Sequence, residues 1–391
     1  MSLGTAYPQI SRRTLLGLAL ASATTALAGC ALHRPDSTAS GTPERPALPS
    51  GWRLLGSSSA RPGLVVDGTP VGGLSGLDYN PITGLWWALS DDRSQRAPAR
   101  LYTFDLALNP HGVAAPQFRQ MIALRQPDGR LYPGPSGWQG RARSGPIPDP
   151  EGLRLLPGTD LLVWTSEGDI DRGEPPALTL TRRDGRAVDE LPLPAELVTM
   201  AQGVGPRNNQ TLEGLALVPG TRQLWLGMEG ALKQDGDLRR FTRYDLDGRR
   251  AIAQRAYALS EGPHGFGRAF IGVSELLAWG PHHLLVLERA FSITRGFEVR
   301  LVLADTRTGS DTLGQLRLDP RQIQPMRSTV LVDFGQITGA ALPRIDNLEG
   351  MAWGPTLPTG ERTLVLIADD NFLALQQTQC VALVLPAGDP A

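Results

Sequence analysis

Short apolar runs of four to six residues, broken by Gly and Pro turns and closed by an acid, recur along the chain from about residue 74 onward. The first unit reads Leu74-Ser-Gly-Leu-Asp-Tyr79, then Leu85-Trp-Trp-Ala-Leu-Ser-Asp-Asp92. The second reads Pro150-Glu-Gly-Leu-Arg-Leu155, then Leu161-Leu-Val-Trp-Thr-Ser-Glu-Gly168. Leu212-Glu-Gly-Leu-Ala-Leu217 with Leu224-Trp-Leu-Gly-Met-Glu-Gly230 makes a third. Ser274-Glu-Leu-Leu-Ala-Trp279 with Leu284-Leu-Val-Leu-Glu288 makes a fourth, and Leu348-Glu-Gly-Met-Ala-Trp353 with Leu364-Val-Leu-Ile-Ala-Asp-Asp370 a fifth. Most units add two more strand-like runs, such as Arg100-Leu-Tyr-Thr-Phe-Asp105 with Phe118 to Leu124. Four short strands per unit predict an all-β fold, a β-propeller of five or six four-stranded blades. The runs are apolar on both faces, as expected of sheets packed between neighbours. The last unit lacks a fourth strand, so a strand near Trp52 to Gly56 is expected to complete it and close the ring. A sixth blade has room between Leu313 and Ile337.

The propeller geometry sorts the acids. The first strand of a blade lines the axis and the second runs antiparallel to it, so the start of one and the end of the other share a face. Glu151, Glu213, Glu275 and Glu349 form one column, with Ser75 in the first repeat's slot. Asp91, Asp92, Glu167, Glu229, Glu288, Asp369 and Asp370 form the other. Crowded carboxylates need counter-charge. Either a hard cation such as Ca²⁺ is ringed by these oxygens, or arginines such as Arg289 and Arg295 pair with them. A repeated acid that only bonds turn backbone groups is the alternative.

Composition narrows the field. Of 391 residues, 41% are hydrophobic and 20% charged, with 45 Gly and 33 Pro and a net charge of -1, so nothing argues for nucleic acid. Lys233 is the single lysine among 38 basic residues. Residues 1–30 read as an export signal: Arg12-Arg13 precedes the apolar run from Leu15, resembling a twin-arginine leader. Leu27-Ala-Gly-Cys30 resembles a lipobox, making Cys30 a candidate lipidation site that would tether the protein to the periplasmic side of a bacterial membrane. Residues 31–50 read as a flexible tether and 51–391 as one domain. Cys380 is expected to be a buried, inert thiol. There is no Gly-x-Ser-x-Gly elbow, and the five histidines, His264 and His282-His283 among them, lack zinc-ligand spacing.

Gly73-Leu-Ser-Gly-Leu-Asp78, Asp149-Pro-Glu-Gly152, Asn208-Asn-Gln-Thr-Leu-Glu-Gly214, Met228-Glu-Gly230, Gly272-Val-Ser-Glu-Leu276, Asp346-Asn-Leu-Glu-Gly350 and Asp369-Asp-Asn-Phe372 together resemble the bacterial phytase-like family, described as having esterase-like activity. The resemblance spans about residues 52 to 386 and implies an esterase or phosphodiesterase chemistry carried by the recurrent Glu and Asp. The leading expectation is a metal-dependent hydrolase of a small anionic ester or phosphoester. Glu151, Glu167, Glu213, Glu275, Glu349, Asp369 and Asp370 are its candidate Ca²⁺ ligands, and Glu213, Glu229, Glu288 and Glu349 its candidate catalytic carboxylates. Arg289, Arg295 and Asn209 are candidate substrate contacts. A hexaphosphate substrate would need a stronger cationic surface than this chain carries. A non-catalytic binding or assembly propeller with a structural ion, and a lactonase-type hydrolase, are the competing classes.

Overall fold

The computed structural model describes residues 48–134, 145–260, 271–292 and 294–387. Cys30, the signal, most of the tether and His264 lie outside the described residues. None of the described helices is long and apolar enough to cross a membrane.

The chain opens with β1 (Arg53–Ser59) and a small ribbon of β2 (Val65–Val66) and β3 (Thr69–Pro70). Blade I follows as β4 (Leu74–Asn80), β5 (Leu85–Ser90), β6 (Arg100–Asp105) and β9 (Gln117–Ala123), with the ribbon β7 (Leu108–Asn109) and β8 (Gly112–Val113) inserted before its last strand. Blade II is β10 (Pro150–Leu155), β11 (Leu161–Ser166), β12 (Ala177–Arg182) and β13 (Ala187–Leu191). Blade III is β14 (Leu212–Leu217), β15 (Gln223–Met228), β16 (Arg239–Asp245) and β17 (Arg250–Tyr257). Blade IV is β18 (Ile271–Trp279), β19 (His283–Ser292), β20 (Gly296–Asp305) and β21 (Ser328–Asp333). Blade V is β22 (Asn347–Trp353), β23 (Arg362–Asp369) and β24 (Gln379–Leu385), completed by β1 along its outer edge. The N-terminal strand thus closes the ring antiparallel to β24, with Arg53 opposite Val384 and Ser59 opposite Gln379.

There are five blades. The stretch from Leu313 to Ile337 is not a sixth: it supplies β21 and, before it, a strandless segment over the edges of blades III and IV. Gly314, Pro320 and Pro325 break that segment, and it is anchored where Leu318 N–H donates to Asp235 and Thr312 N–H to the Gln254 carbonyl. The apolar core is divided between the blades. Trp86, Phe104, Val365 and Ala382 pack blade I on blade V, and Trp164 and Leu153 meet Leu89 and Leu101 between blades II and I. The inner strands of each sheet are covered on both faces, which is why they read as apolar runs, while outer strands such as β9 and β21 are largely exposed or half-buried.

Every inner strand carries a bulge at one level. The register slips between Leu74 and Gly76, Pro150 and Leu153, Leu212 and Gly214, Val273 and Glu275, and Leu348 and Gly350. A bulge adds a residue and re-aims its side chain, here Ser75, Glu151, Glu213, Ser274 and Glu349. The next residue is glycine in four blades because the neighbouring blade leaves no room. A Cβ on Gly76 would lie 2.4 Å from the Glu151 carbonyl oxygen, and one on Gly152 2.6 Å from that of Glu213. In blade IV this position is Glu275.

Arg154 blocks the axis. Its guanidinium donates to the carbonyls of Leu77 (2.9 Å), Leu153 (2.5 Å), Leu276 (2.5 Å) and Met351 (3.3 Å), from four of the five inner strands, and lies 3.2 Å from the Glu275 carboxylate.

Candidate active site

The bulges gather buried carboxylates at one mouth of the hub. Among the described residues, three triads have oxygens within 4.8 Å of one another: Asp91, Glu151 and Glu349; Asp149, Glu151 and Glu167; Glu167, Glu213 and Glu229. Glu151 and Glu167 each belong to two triads, so the groups form one continuous arc. It runs from Glu349 of blade V through Asp91, Glu151, Asp149 and Glu167 to Glu213 and Glu229 of blade III.

Burial and mutual repulsion show in the proton affinities. Glu151 is held well above the usual carboxylate range by burial, then by Glu213, Asp149, Asp91 and Glu167. Glu213 is likewise well raised by burial and by Glu229, Glu167 and Glu349, with Arg289 partly offsetting. Glu167 is pushed to about 8 by burial, Asp149 and Glu229, against the stabilising Thr211 N–H and Arg93. Two oxygens of the arc, Asp149 Oδ1 and Glu167 Oε2, are buried with no hydrogen-bond partner among the described residues. Such a site binds protons or cations rather than standing fully ionised and bare.

Polar neighbours fix the arc's ends. Glu349 accepts hydrogen bonds from Ser75 Oγ (3.0 Å) and Asn347 Nδ2 (3.0 Å), and Asn347 also donates to Asp369 (3.2 Å). Arg289 lies 2.7 Å from Glu349 and 3.7 Å from Glu229, and donates to Asn347 Oδ1 at 2.6 Å. Burial opposes the Arg289 charge, yet Glu349, Glu229, Glu213 and Asp369 outweigh it and raise its proton affinity further. A second arginine, Arg93, bonds Asp149 and donates to Asn209 Oδ1 at 2.6 Å. It reaches blades II and III from a loop after β5, where Arg93 and Ser94 both take left-handed backbone angles.

The structure therefore brings together Glu151, Glu167, Glu213, Glu229, Glu349, Asp369, Arg289 and Asn209. It places four other candidates elsewhere. Glu275 accepts the Leu215 and Leu276 N–H groups at 2.8 Å and faces Arg154 in the hub, and burial raises it to about 7 against that arginine's pull. Glu288 accepts from Tyr257 Oη (2.6 Å) and the Ser260 N–H (2.8 Å). Asp370 accepts from the Gly73 and Phe372 N–H groups and Thr378 Oγ1, tying blade V to the start of blade I. Arg295 is exposed on the β19–β20 hairpin beside Glu298.

The fourth repeat explains two of these. Val273 pairs with Glu288, as Leu212 pairs with Met228. Ser274, not Glu275, therefore holds the first-column position, and Arg289, not Glu288, the second. Gly272-Val-Ser matches Gly73-Leu-Ser of the first repeat, a signal that aligns the two units correctly. Arg93 and Asp149 are site residues that the strand pattern does not mark, because neither sits in a repeated column of acids.

A family profile described as phytase-like, esterase-like activity of phytase, matches residues 69–372. No curated protein matches the chain. Among solved structures, an α-L-arabinofuranosidase from Podospora anserina is similar at 12% identity, covering 87% of this chain and 99% of that one, with a TM-score of 0.43. The catalytic domain of an α-L-arabinofuranosidase from Coprinopsis cinerea is similar at 12% identity, covering 85% and 96%, with a TM-score of 0.42. Hydrazine synthase from Kuenenia stuttgartiensis is similar at 13% identity, covering 80% and 82%, with a TM-score of 0.36. At these scores none of the likenesses bears on chemistry.

Proposed function

The chain belongs to the phytase-like family with esterase-like activity, and from that premise we propose that it is a cation-dependent hydrolase of a small anionic ester, most simply a phosphoester. The observation that carries the reading is the buried arc of overlapping carboxylate triads with two oxygens unpartnered. Its donors are all hard oxygens, the set that suits Ca²⁺. Asp91, Asp149, Glu151, Glu167, Glu213, Glu229 and Glu349 would hold the cation, which when bound supplies electrostatic activation of water and of the ester oxygen.

The chain's own groups do the rest. Arg93 is partly exposed at the mouth and is the group suited to hold the substrate's anionic end. Asn209, held by Arg93, lines the same approach. An arc carboxylate left ionised takes a proton from the attacking water, and a protonated neighbour returns one to the leaving alkoxide. We further propose that the domain works outside the cytoplasm, tethered through Cys30.

The test is hydrolysis of phosphomonoester, phosphodiester and carboxylic-ester probes by the purified protein, with chelator and after Ca²⁺ is restored. Calcium-dependent turnover lost in Glu213→Gln supports the proposal. Thermal stabilisation by Ca²⁺ without turnover on any probe would instead make the protein a binding propeller with a structural ion.

A further inference from the structure

In blades I, II, III and V the second strand ends its inner face with a carboxylate: Asp91, Glu167, Glu229 or Asp369. In blade IV that position is Arg289, and the matching first-column position is Ser274. The arc of triads runs from Glu349 to Glu229, and Arg289 spans the gap between those ends at 2.7 and 3.7 Å. The second column thus breaks at one place, with a positive charge where its periodicity puts a negative one.

Resting on the cation-dependent reading above, we infer that Arg289 is a built-in cation: it occupies the place of one further metal ion and confines exogenous cations to the arc of blades V, I, II and III. The chemistry around it fits. Its immediate neighbours are Glu229, Glu349 and Asn347 Oδ1, and the column beside it offers Ser274 Oγ, which is buried with no hydrogen-bond partner among the described residues. These are the oxygen donors a hard cation takes. A guanidinium keeps its proton throughout the ordinary pH range and bridges two carboxylates with separate N–H groups. It therefore neutralises this side permanently, whereas a bound ion leaves when its free concentration falls.

The test is calorimetric titration of Ca²⁺ into chelator-treated full-length protein carrying Arg289→Gln or Arg289→Lys, beside the wild type. The expected result is one more equivalent of Ca²⁺ bound by the Gln variant than by the wild type, with the Lys variant matching the wild type. An unchanged or smaller stoichiometry in the Gln variant overturns the inference. So does a Gln variant that stays unfolded at saturating Ca²⁺, since the ion should replace the lost charge. If the wild type binds no Ca²⁺ and the Gln variant does, Arg289 still stands in for an ion, while the cation-dependent reading and the confinement of cations to the arc fall. If neither binds, both fall.

Discussion

Ser75 donates a 3.0 Å hydrogen bond to Glu349 across the seam where the first blade meets the last. Ser75 takes the slot that Glu151, Glu213 and Glu349 fill in their own blades, so a neutral donor replaces a fourth like charge there. Substituting Ser75→Glu should restore the repulsion. The chelator-treated variant is expected to melt at least 5 °C below wild type, with Ca²⁺ recovering most of the loss. Differential scanning calorimetry at two calcium concentrations reads this directly, and a variant as stable as wild type without calcium contradicts it.

Proton uptake by the arc sets a pH dependence. An unfolded chain releases its glutamate protons near the ordinary value of 4.5, whereas Glu167 holds one to about 8 and Glu151 and Glu213 are also well raised. Between those limits the folded protein binds more protons than the unfolded one, so its stability falls as pH rises. The metal-free protein should melt lower at pH 8 than at pH 5. Added Ca²⁺ competes with those protons and should raise the melting temperature far more at pH 8. A metal-free profile that is flat or rises over this range would falsify the account.

Arg93→Ala removes a guanidinium from the mouth without touching any inner strand. For an anionic probe, KM is expected to rise about tenfold, the cost of roughly one charge-assisted hydrogen bond. A neutral ester should be much less affected. Equal losses on both probes would show that Arg93 serves only to position Asp149.

Arg154→Met leaves the Glu275 carboxyl buried beside an apolar side chain and frees inner-strand carbonyls. Breaking a buried pair from one side typically costs about 3–5 kcal/mol. The double change Arg154→Met, Glu275→Leu should recover part of that loss. Urea denaturation of both variants tests the pair, and a double variant no better than the single would assign the cost to the carbonyl bonds.

Gly152→Ala places a Cβ 2.6 Å from the Glu213 carbonyl oxygen and 2.7 Å from Leu215 Cβ. Backbone and inner-strand atoms have little room to yield, so a loss of about 1–3 kcal/mol is expected. The accompanying shift of Glu213 should also weaken Ca²⁺ binding. Gly158→Ala, in an open turn with nothing near its Cβ but a left-handed backbone angle, separates conformational strain from this crowding.

Much of this arrangement was legible in the sequence because propeller strands are short, apolar and evenly punctuated. The four-stranded blade, ring closure by the N-terminal strand and the convergence of two acidic columns follow from spacing, whereas the choice between five and six blades waits on the strand pairing of β21. The fourth repeat defeats a simple alignment, since Ser274-Glu275 and Glu288-Arg289 each offer a charged residue one step from the true position. The match of Gly272-Val-Ser to Gly73-Leu-Ser points to the right alignment, and the strand register, set by the bulge after Val273, shows which side chain turns toward the axis. Arg93 is invisible for a different reason: it acts from an irregular loop and finds its partners in the next two blades. Asp370 looks like a second acid of its column, yet the turn after β23 directs it to backbone N–H groups instead.

The collar of carbonyls around Arg154 makes the hub a cup rather than a tube. If the proposed hydrolysis takes place at the carboxylate mouth, a guanidinium bonded to four inner strands leaves no through route along the axis, and products would leave by the doorway the next substrate needs. Traffic is therefore one-lane. An anionic fragment that lingers on Arg93 would obstruct the next arrival, so competitive inhibition by the released anion is what the proposed reaction predicts.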